Sequence, residues 1–346
     1  MENILKEIVA KPESVFVIAE IGHNHQGNLE TCKSMFLAAK EAGADAVKLQ
    51  KRNNITLYTK ALYNEPYNSE NSYASIYGEH REALEFNKEQ YKELVRYAKE
   101  IDIYFFATAF DFESLDFLID LDMPAFKIAS GDLLNTPLQR RIAKLGKPVL
   151  LSTGGGTFND ITRAVNTIVE HNRQLVVFHC TASYPANVED MNLRVIPELK
   201  KLFPDIIIGL SDHENGIDAA SVGYMLGARV FEKHFTLNRS WKGTDQSFSL
   251  EPEGLRKLVR NLKRIPVLLG SADKQLLENE KKPLKKMSKS LVAKTDLSAG
   301  HCLTEDDIAI KSPGGGLPPY KIDSLIGKTL KASVKEDDNL LFENIQ

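Results

Sequence analysis

Residues 148–180 read PVLLSTGGGTFNDITRAVNTIVEHNRQLVVFHC, and this stretch decides the fold. Pro148 to Ser152 is a short apolar run of the kind buried on both faces of a sheet, and Leu175 to Cys180 is another. Between them Ile161, Ala164, Val165 and Ile168 recur at i, i+3, i+4 and i+7, which places them on one face of a helix. Outward from this unit the same alternation repeats. Apolar runs at Val15 to Glu20, Ala46 to Gln50, Ile103 to Thr108, Ala125 to Ser130, Asp205 to Leu210 and Arg229 to His234 bring the strands to eight. Tyr91, Leu94, Val95 and Ala98, then Leu255, Leu258, Val259 and Leu262, repeat the helical spacing. Eight strand–helix units in about 250 residues predict an α/β fold of the (β/α)8 TIM-barrel type. A doubly wound open sheet shares the local pattern, and the strand count favours the barrel.

After Gly270 the character changes. Ser271 to Lys289 carries Lys281, Lys282, Lys285, Lys286 and Lys289 around Pro283 and reads as a solvated linker, with a basic docking strip as the alternative. Ser290 to Gln346 then forms a small β-rich unit, with short runs at Leu291 to Ala293, Ala309 to Lys311 and Thr329 to Val334 and a turn cluster at Ser312 to Gly316. The expected organisation is a barrel over 1–270, a linker over 271–289 and a second domain over 290–346. So small a domain is marginal alone and is expected to lean on a partner surface.

Composition excludes several classes. Among 346 residues, 44 Lys and Arg stand against 47 Asp and Glu, a net charge of −3, with no basic footprint for nucleic acid. No apolar stretch approaches the roughly 20 residues needed to cross a bilayer. The opening MENILKEIVAKPES lacks the order of regions of a signal peptide. Cys32, Cys180 and Cys302 are odd in number and far apart, which argues against a disulfide framework. A cytoplasmic protein is expected.

In such a barrel, chemistry collects where the strands end. Those positions hold Glu20 and the loop Gly22 to Gly27, Lys48 with Gln50, Lys127, Ser130 and Asp132, then Ser152 before Gly154 to Gly156. Later strands add His179 to Thr181 with Tyr184, then Ser211 to His213, and Glu232 to His234. Polar residues accumulate at one rim, where packing has no use for them. His213 and His234 end neighbouring strands and can converge on one metal ion with positions open for water and substrate; two hydrogen-bonded rim histidines are the alternative. His23 and His25 are expected to order their loop or position substrate, and His80, His171 and His301 to be surface or structural. Lys48 and Lys127 are each the sole charge of an apolar strand. A buried lysine is costly unless paired, so each meets either a carboxylate or an anionic substrate. With Ser130, Ser152, Ser211 and the glycine loop they compose a cradle for phosphate and carboxylate. A Schiff-base lysine, as in aldolases, is the other option.

Ala19-Glu-Ile-Gly-His-Asn-His-Gln-Gly27, Phe126-Lys-Ile-Ala-Ser-Gly-Asp132, Leu151-Ser-Thr-Gly154, Gly209-Leu-Ser-Asp-His213 and Glu232-Lys-His-Phe-Thr236 together resemble the sialic acid synthase family over nearly the whole chain. Its members condense phosphoenolpyruvate with N-acetylmannosamine or a relative. Ser290 to Gln346 resembles the family's C-terminal antifreeze-like (SAF) domain. Tyr77-Gly-Glu-His80, Leu84-Glu-Phe86 and Trp241-Lys-Gly-Thr-Asp245 with Ser249-Leu-Glu-Pro252 look closest to the animal-type branch, whose acceptor is the 6-phosphorylated sugar.

The resemblance implies a divalent ion, manganese or magnesium, on His213 and His234; phosphoenolpyruvate on Lys48, Lys127, Ser130, Ser152 and Ser211; and the sugar facing Glu20, Gln50, Asn71, Tyr184 and Asp245. Glu20 or Asp132 would manage protons, or both would be fixed supporting carboxylates. It implies too a homodimer in which each SAF domain covers the partner's barrel mouth, excluding water. Two positions depart from the bacterial pattern: Ala182 stands where Asn is common, and Ser312 where an Arg reaches the acyl group of the partner's sugar. Synthases of legionaminic, pseudaminic or deaminated sugar acids are the alternatives within the fold. A Schiff-base aldolase or a carbohydrate-binding module would be a different class of function.

Overall fold

Phe16 in the first strand pairs with Val230 in the last, and this contact closes the sheet on itself. In the computed structural model, which describes Met1, Leu5, Lys6, Ala10, Lys11 and residues 13–346, eight parallel strands form a closed barrel in sequence order. They are β1 (Phe16–Gly22), β2 (Ala46–Lys51), β3 (Tyr104–Ala109), β4 (Phe126–Ile128), β5 (Val149–Ser152), β6 (Leu175–Cys180), β7 (Ile207–Asp212) and β8 (Val230–His234). The opening segment read above for a targeting signal falls partly outside the described residues. No helix among those described is long and apolar enough to cross a membrane.

A helix follows each strand: α1 (Leu29–Glu41), α2 (Lys88–Glu100), α3 (Phe112–Asp120), α4 (Thr136–Ala143), α5 (Phe158–Val169), α6 (Val195–Leu202), α7 (Asp218–Met225) and α8 (Pro252–Leu269). Their starts are written locally. Asn87 and Gln90 close a capping box on α2, and Thr157 and Asp160 do so on α5, satisfying N–H groups that a helix end leaves open. The apolar faces expected of α5 and α8 are buried in full, Ile161 to Ile168 and Leu255 to Leu262. They pack against outward strand residues such as Val17, Val47 and Val177 in one continuous core.

Inside the barrel the alternation of side chains along each strand builds layers. Phe16, Ile18, Ala46, Phe106, Leu150, Val176, Phe178 and Val230 fill the end where the strands begin. Two residues further along the same inward rows stand Glu20, Lys48, Thr108, Ser152, Cys180 and Glu232. The interior is thus an apolar plug beneath a charged floor.

Three strands depart from the sequence reading by two residues at an end, and the first, β1, runs on past Glu20 to Gly22. β4 stops at Ile128 because Ser130–Asp132 turns into a 3-10 helix, with Asp132 N–H donating to the Ala129 carbonyl. β7 begins at Ile207, since Ile206 N–H closes a turn on Phe203 around Pro204, which has no N–H to give a ladder.

The chain divides into two compact units, Met1–Gly270 and Ser271–Gln346. In the second, α9 (Glu278–Met287) buries none of its residues. Then β9 (Ser290–Ala293) and β10 (Ile308–Lys311) pair antiparallel over a small core that includes Leu291, Leu303, Leu325, Leu330 and Leu340. Thr329 to Val334 is not a strand. Thr329 bridges Cys302, Leu330 bridges Ile345 and Val334 bridges Leu297, so the segment changes partner too often to build a ladder.

Candidate active site

A cavity of about 480 Å³ opens at the carboxyl end of the barrel, walled by residues from every strand or the loop after it. Its floor is an ion-pair network. Lys48 Nζ lies 2.7 Å from Glu20 and 3.6 Å from Glu232, and donates to Thr108 Oγ1 at 2.9 Å. Lys127 Nζ lies 3.3 Å from the same Glu232 oxygen. Both lysines therefore meet carboxylates, one of the two outcomes open to them from the sequence. Burial works against the Lys48 ammonium, but Glu20 and Glu232 outweigh it and hold its pKa above the ordinary value. For Lys127 burial wins over Glu232, and its pKa falls. Burial would raise Glu232, yet Lys127 and Lys48 hold it down to about 2.

The histidine pair comes together as its strand positions suggest, with ring centroids 5.3 Å apart. His213 Nδ1 lies 2.8 Å from the Thr181 carbonyl, a contact that makes Nδ1 the protonated nitrogen and leaves Nε2 its lone pair. Burial, then His234, lowers its pKa to about 3, so the ring is neutral, the form that binds metal. Tyr184 covers it at 4.2 Å between centroids. His234 Nδ1 is buried without a hydrogen-bond partner, its nearest carboxylate being Asp245 at 3.7 Å. No group of three or more His, Cys, Asp or Glu among the described residues is arranged to hold a metal. Two imidazoles, His213 with the lone pair of its Nε2 free and His234 with an unsatisfied Nδ1, do fit an ion that takes its remaining ligands from water and substrate.

Hydroxyls ring the same space. Ser130 Oγ accepts from Gly154 N–H at 3.0 Å, and Ser211 Oγ is 3.5 Å from Glu232. Ser152 Oγ is buried with no partner. Gly154 has no room for a side chain, because a Cβ there would come within 2.8 Å of Ser130 Oγ and of the Ala182 methyl. On the opposite flank Gln50 Nε2 donates to Glu20 at 2.7 Å, while its Oε1 accepts from Arg52 at 2.7 Å.

Two assigned residues stand apart from this wall. Asp132 turns its carboxylate to Asn135 Nδ2 at 2.9 Å, with its pKa raised by burial. Asn71 accepts from Gly243 N–H at 3.0 Å and so ties the loop after β2 to the one holding Asp245. His25 accepts from Gly27 N–H, and His23 contacts Glu85 and Arg52; both rings order the loop after β1.

The NeuB family profile matches residues 35–274, and the SAF domain profile matches residues 288–346. The chain belongs to the NeuB family. It is 43% identical over 329 residues to the N-acetylneuraminate-9-phosphate synthase of Homo sapiens, covering 95% of this chain and 92% of that one. It is 34% identical to the N,N'-diacetyllegionaminic acid synthase of Campylobacter jejuni, over 94% and 98% of the two chains. A crystal structure of the N-acetylneuraminic acid (sialic acid) synthetase of Leptospira borgpetersenii, in complex with citrate, is similar at 32% identity and a TM-score of 0.68. It covers 79% of this chain and 91% of that one.

This NeuB-family barrel also brings to the cavity groups to which the sequence reading gave no role: Arg52, Arg81, Thr108, Cys180 and Glu232. Glu232 was accessible in principle, since it shares its inward row with His234 two residues on. Arg52 continues the row of Lys48 and Gln50 one residue past the end of β2, and Arg81 sits on a short helix, Tyr77–Glu82, in the segment after β2. A larger groove, about 750 Å³, includes Lys40, Asp45, Asp102, Tyr104, Asp122 and Lys147. Its charges are spent on one another, in Lys40–Asp102 and Lys147–Asp122 pairs, and converge on nothing.

Proposed function

We propose that this chain joins phosphoenolpyruvate to open-chain N-acetylmannosamine or its 6-phosphate, giving N-acetylneuraminate or its 9-phosphate and inorganic phosphate. The observation that carries this reading is the convergence in one cavity of the cationic, hydroxyl-lined wall (Lys127, Ser130, Ser152, Ser211) with the paired imidazoles of His213 and His234. Family membership supports it, and the similarity to the human 9-phosphate synthase favours the phosphorylated sugar.

In this mechanism C3 of phosphoenolpyruvate bonds to the sugar's aldehyde carbon, water adds at C2, and phosphate departs with its bridging oxygen. Lys48, Lys127 and the three serines hold the phosphate and carboxylate; charge-assisted hydrogen bonds make that grip strong. His213 and His234 fit a divalent ion, Mn2+ or Mg2+, which when bound supplies Lewis-acid polarisation of the aldehyde oxygen. Gln50, Tyr184 and Asp245 orient the sugar. Of the two carboxylates proposed for proton handling, Glu20 lines the cavity and Asp132 does not, which supports Glu20.

We assign residues 1–270 to the synthase barrel, 271–289 to a linker and 290–346 to the SAF domain, with the working form a homodimer whose SAF domains serve the partner's barrel. Three free cysteines support a reducing, cytoplasmic setting. The test is phosphate release from phosphoenolpyruvate with a panel of free and phosphorylated amino sugars. Release with N-acetylmannosamine or its 6-phosphate supports the proposal. Release only with a legionaminic or pseudaminic precursor would select that reading, for which the 34% similarity to the Campylobacter enzyme speaks.

A further inference from the structure

The cavity floor is balanced in charge, but its rim is not. Lys48 and Lys127 have Glu20 and Glu232. Arg52 and Arg81 also line the cavity, the first buried and the second half-buried, and among the described residues neither forms an ion pair. Neutral groups hold them instead. Arg52 donates to Gln50 Oε1 and lies with its guanidinium 3.8 Å over the Phe110 ring. Arg81 donates from Nε to the Tyr77 hydroxyl at 3.1 Å, its guanidinium 5.2 Å from that ring. Glu85 acts on Arg52 and Asp245 on Arg81 only beyond ion-pair distance, so neither guanidinium has a direct counter-charge, and placing two like charges in one wall adds to the cost of burial. Such a pair is stable when an anion arrives with the ligand, and the planar fork of arginine matches phosphate oxygens.

We propose that Arg52 and Arg81 form a subsite for a phosphate ester on the acceptor sugar and set the preference for the phosphorylated over the free sugar. The inference rests on the condensation proposed above. It assigns the pair to the acceptor rather than to phosphoenolpyruvate for a topological reason. Ser130, Ser152 and Ser211 belong to the ends of β4, β5 and β7, whereas both arginines follow β2, and Arg52 bonds directly to Gln50 on the sugar side.

The experiment uses the full chain and the variants Arg81→Gln, Arg81→Lys and Arg52→Gln. For each, kcat/KM is measured with N-acetylmannosamine 6-phosphate and with N-acetylmannosamine, together with KM for phosphoenolpyruvate. Calorimetry records binding of both sugars without phosphoenolpyruvate. In Arg81→Gln the ratio of kcat/KM, phosphorylated to free, is expected to fall at least tenfold, with Arg81→Lys falling less and KM for phosphoenolpyruvate within threefold of the parent. Equal losses on both sugars, or a loss confined to phosphoenolpyruvate, would overturn the assignment. Should the parent condense neither sugar, the reaction reading fails separately, and calorimetry still decides the subsite. Tighter binding of the phosphorylated sugar that Arg81→Gln abolishes sustains it, and no such difference overturns it.

Discussion

Lys48 Nζ sits 2.7 Å from Glu20 Oε2, and the two residues are register partners on adjacent strands at the centre of the cavity floor. Breaking a buried pair leaves an uncompensated charge, typically a loss of about 3–5 kcal/mol. Lys48→Met should therefore lower stability by that order in urea unfolding. The double variant Lys48→Met with Glu20→Gln should cost less than the sum of the single changes, since neither charge is then stranded. Strict additivity would show that the pair is not coupled.

Ser152 offers a cleaner separation of fold from function. Its hydroxyl is buried without a partner, so Ser152→Ala removes no internal hydrogen bond. Stability should stay within about 0.5 kcal/mol of the parent, the range of an undemanding substitution. KM for phosphoenolpyruvate should rise, by about tenfold if one hydrogen bond to a charged group, about 1.5 kcal/mol, is lost. Lys127→Met should act in the same direction and more strongly, raising KM for phosphoenolpyruvate well above any change for the sugar.

Removal of the imidazoles should stop the reaction without unfolding the barrel. His234→Ala is expected to lower kcat/KM by more than a hundredfold, about 3 kcal/mol of transition-state stabilisation, while far-UV circular dichroism stays unchanged. Chelation of the parent enzyme should mimic the substitution, and Mn2+ or Mg2+ should reverse it. An active, chelator-sensitive His234→Ala enzyme would remove this residue from the metal site.

Gly22 carries a backbone φ of +53°, and a Cβ there would stand 3.2 Å from Gln50 Nε2 and 3.3 Å from Glu20 Oε1. Gly22→Ala combines left-handed strain, about 1–2 kcal/mol, with crowding of two cavity side chains. It should weaken sugar binding more than phosphoenolpyruvate binding, measured as the ratio of the two KM changes.

The covering role proposed for the SAF domain is testable by mixing. Truncation after Lys289 should leave a folded barrel with little activity. Combining truncated subunits with full-length His213→Ala subunits should restore activity in heterodimers if the SAF domain serves the partner. Heterodimers that form without rescue would place its action within its own chain.

Sequence by itself determined the barrel. A 2-residue and a 3.6-residue period alternating eight times leave few ways to bury so many apolar faces, and each period is written within about ten residues. It also placed Lys48, Lys127, Ser152, His213 and His234 at one rim, because strand parity and strand ends are local properties. Only the tertiary structure decided which charges meet. Glu232 contacts Lys127, 105 positions away, because closing the barrel brings residues of β4 and β8 to a shared interior. Asp132 looked equivalent to Glu20 in sequence, yet a 3-10 turn after β4 carries its carboxylate to Asn135 instead of into the cavity. Arg52 and Arg81 escaped notice for a related reason: Arg52 stands one residue past β2, and Arg81 sits on the short helix Tyr77–Glu82 after it, whose path back over the cavity no local spacing announces. Local periodicity sets what each segment becomes, whereas closure, register and loop path set which side chains share a volume, and those depend on contacts between residues far apart in the chain.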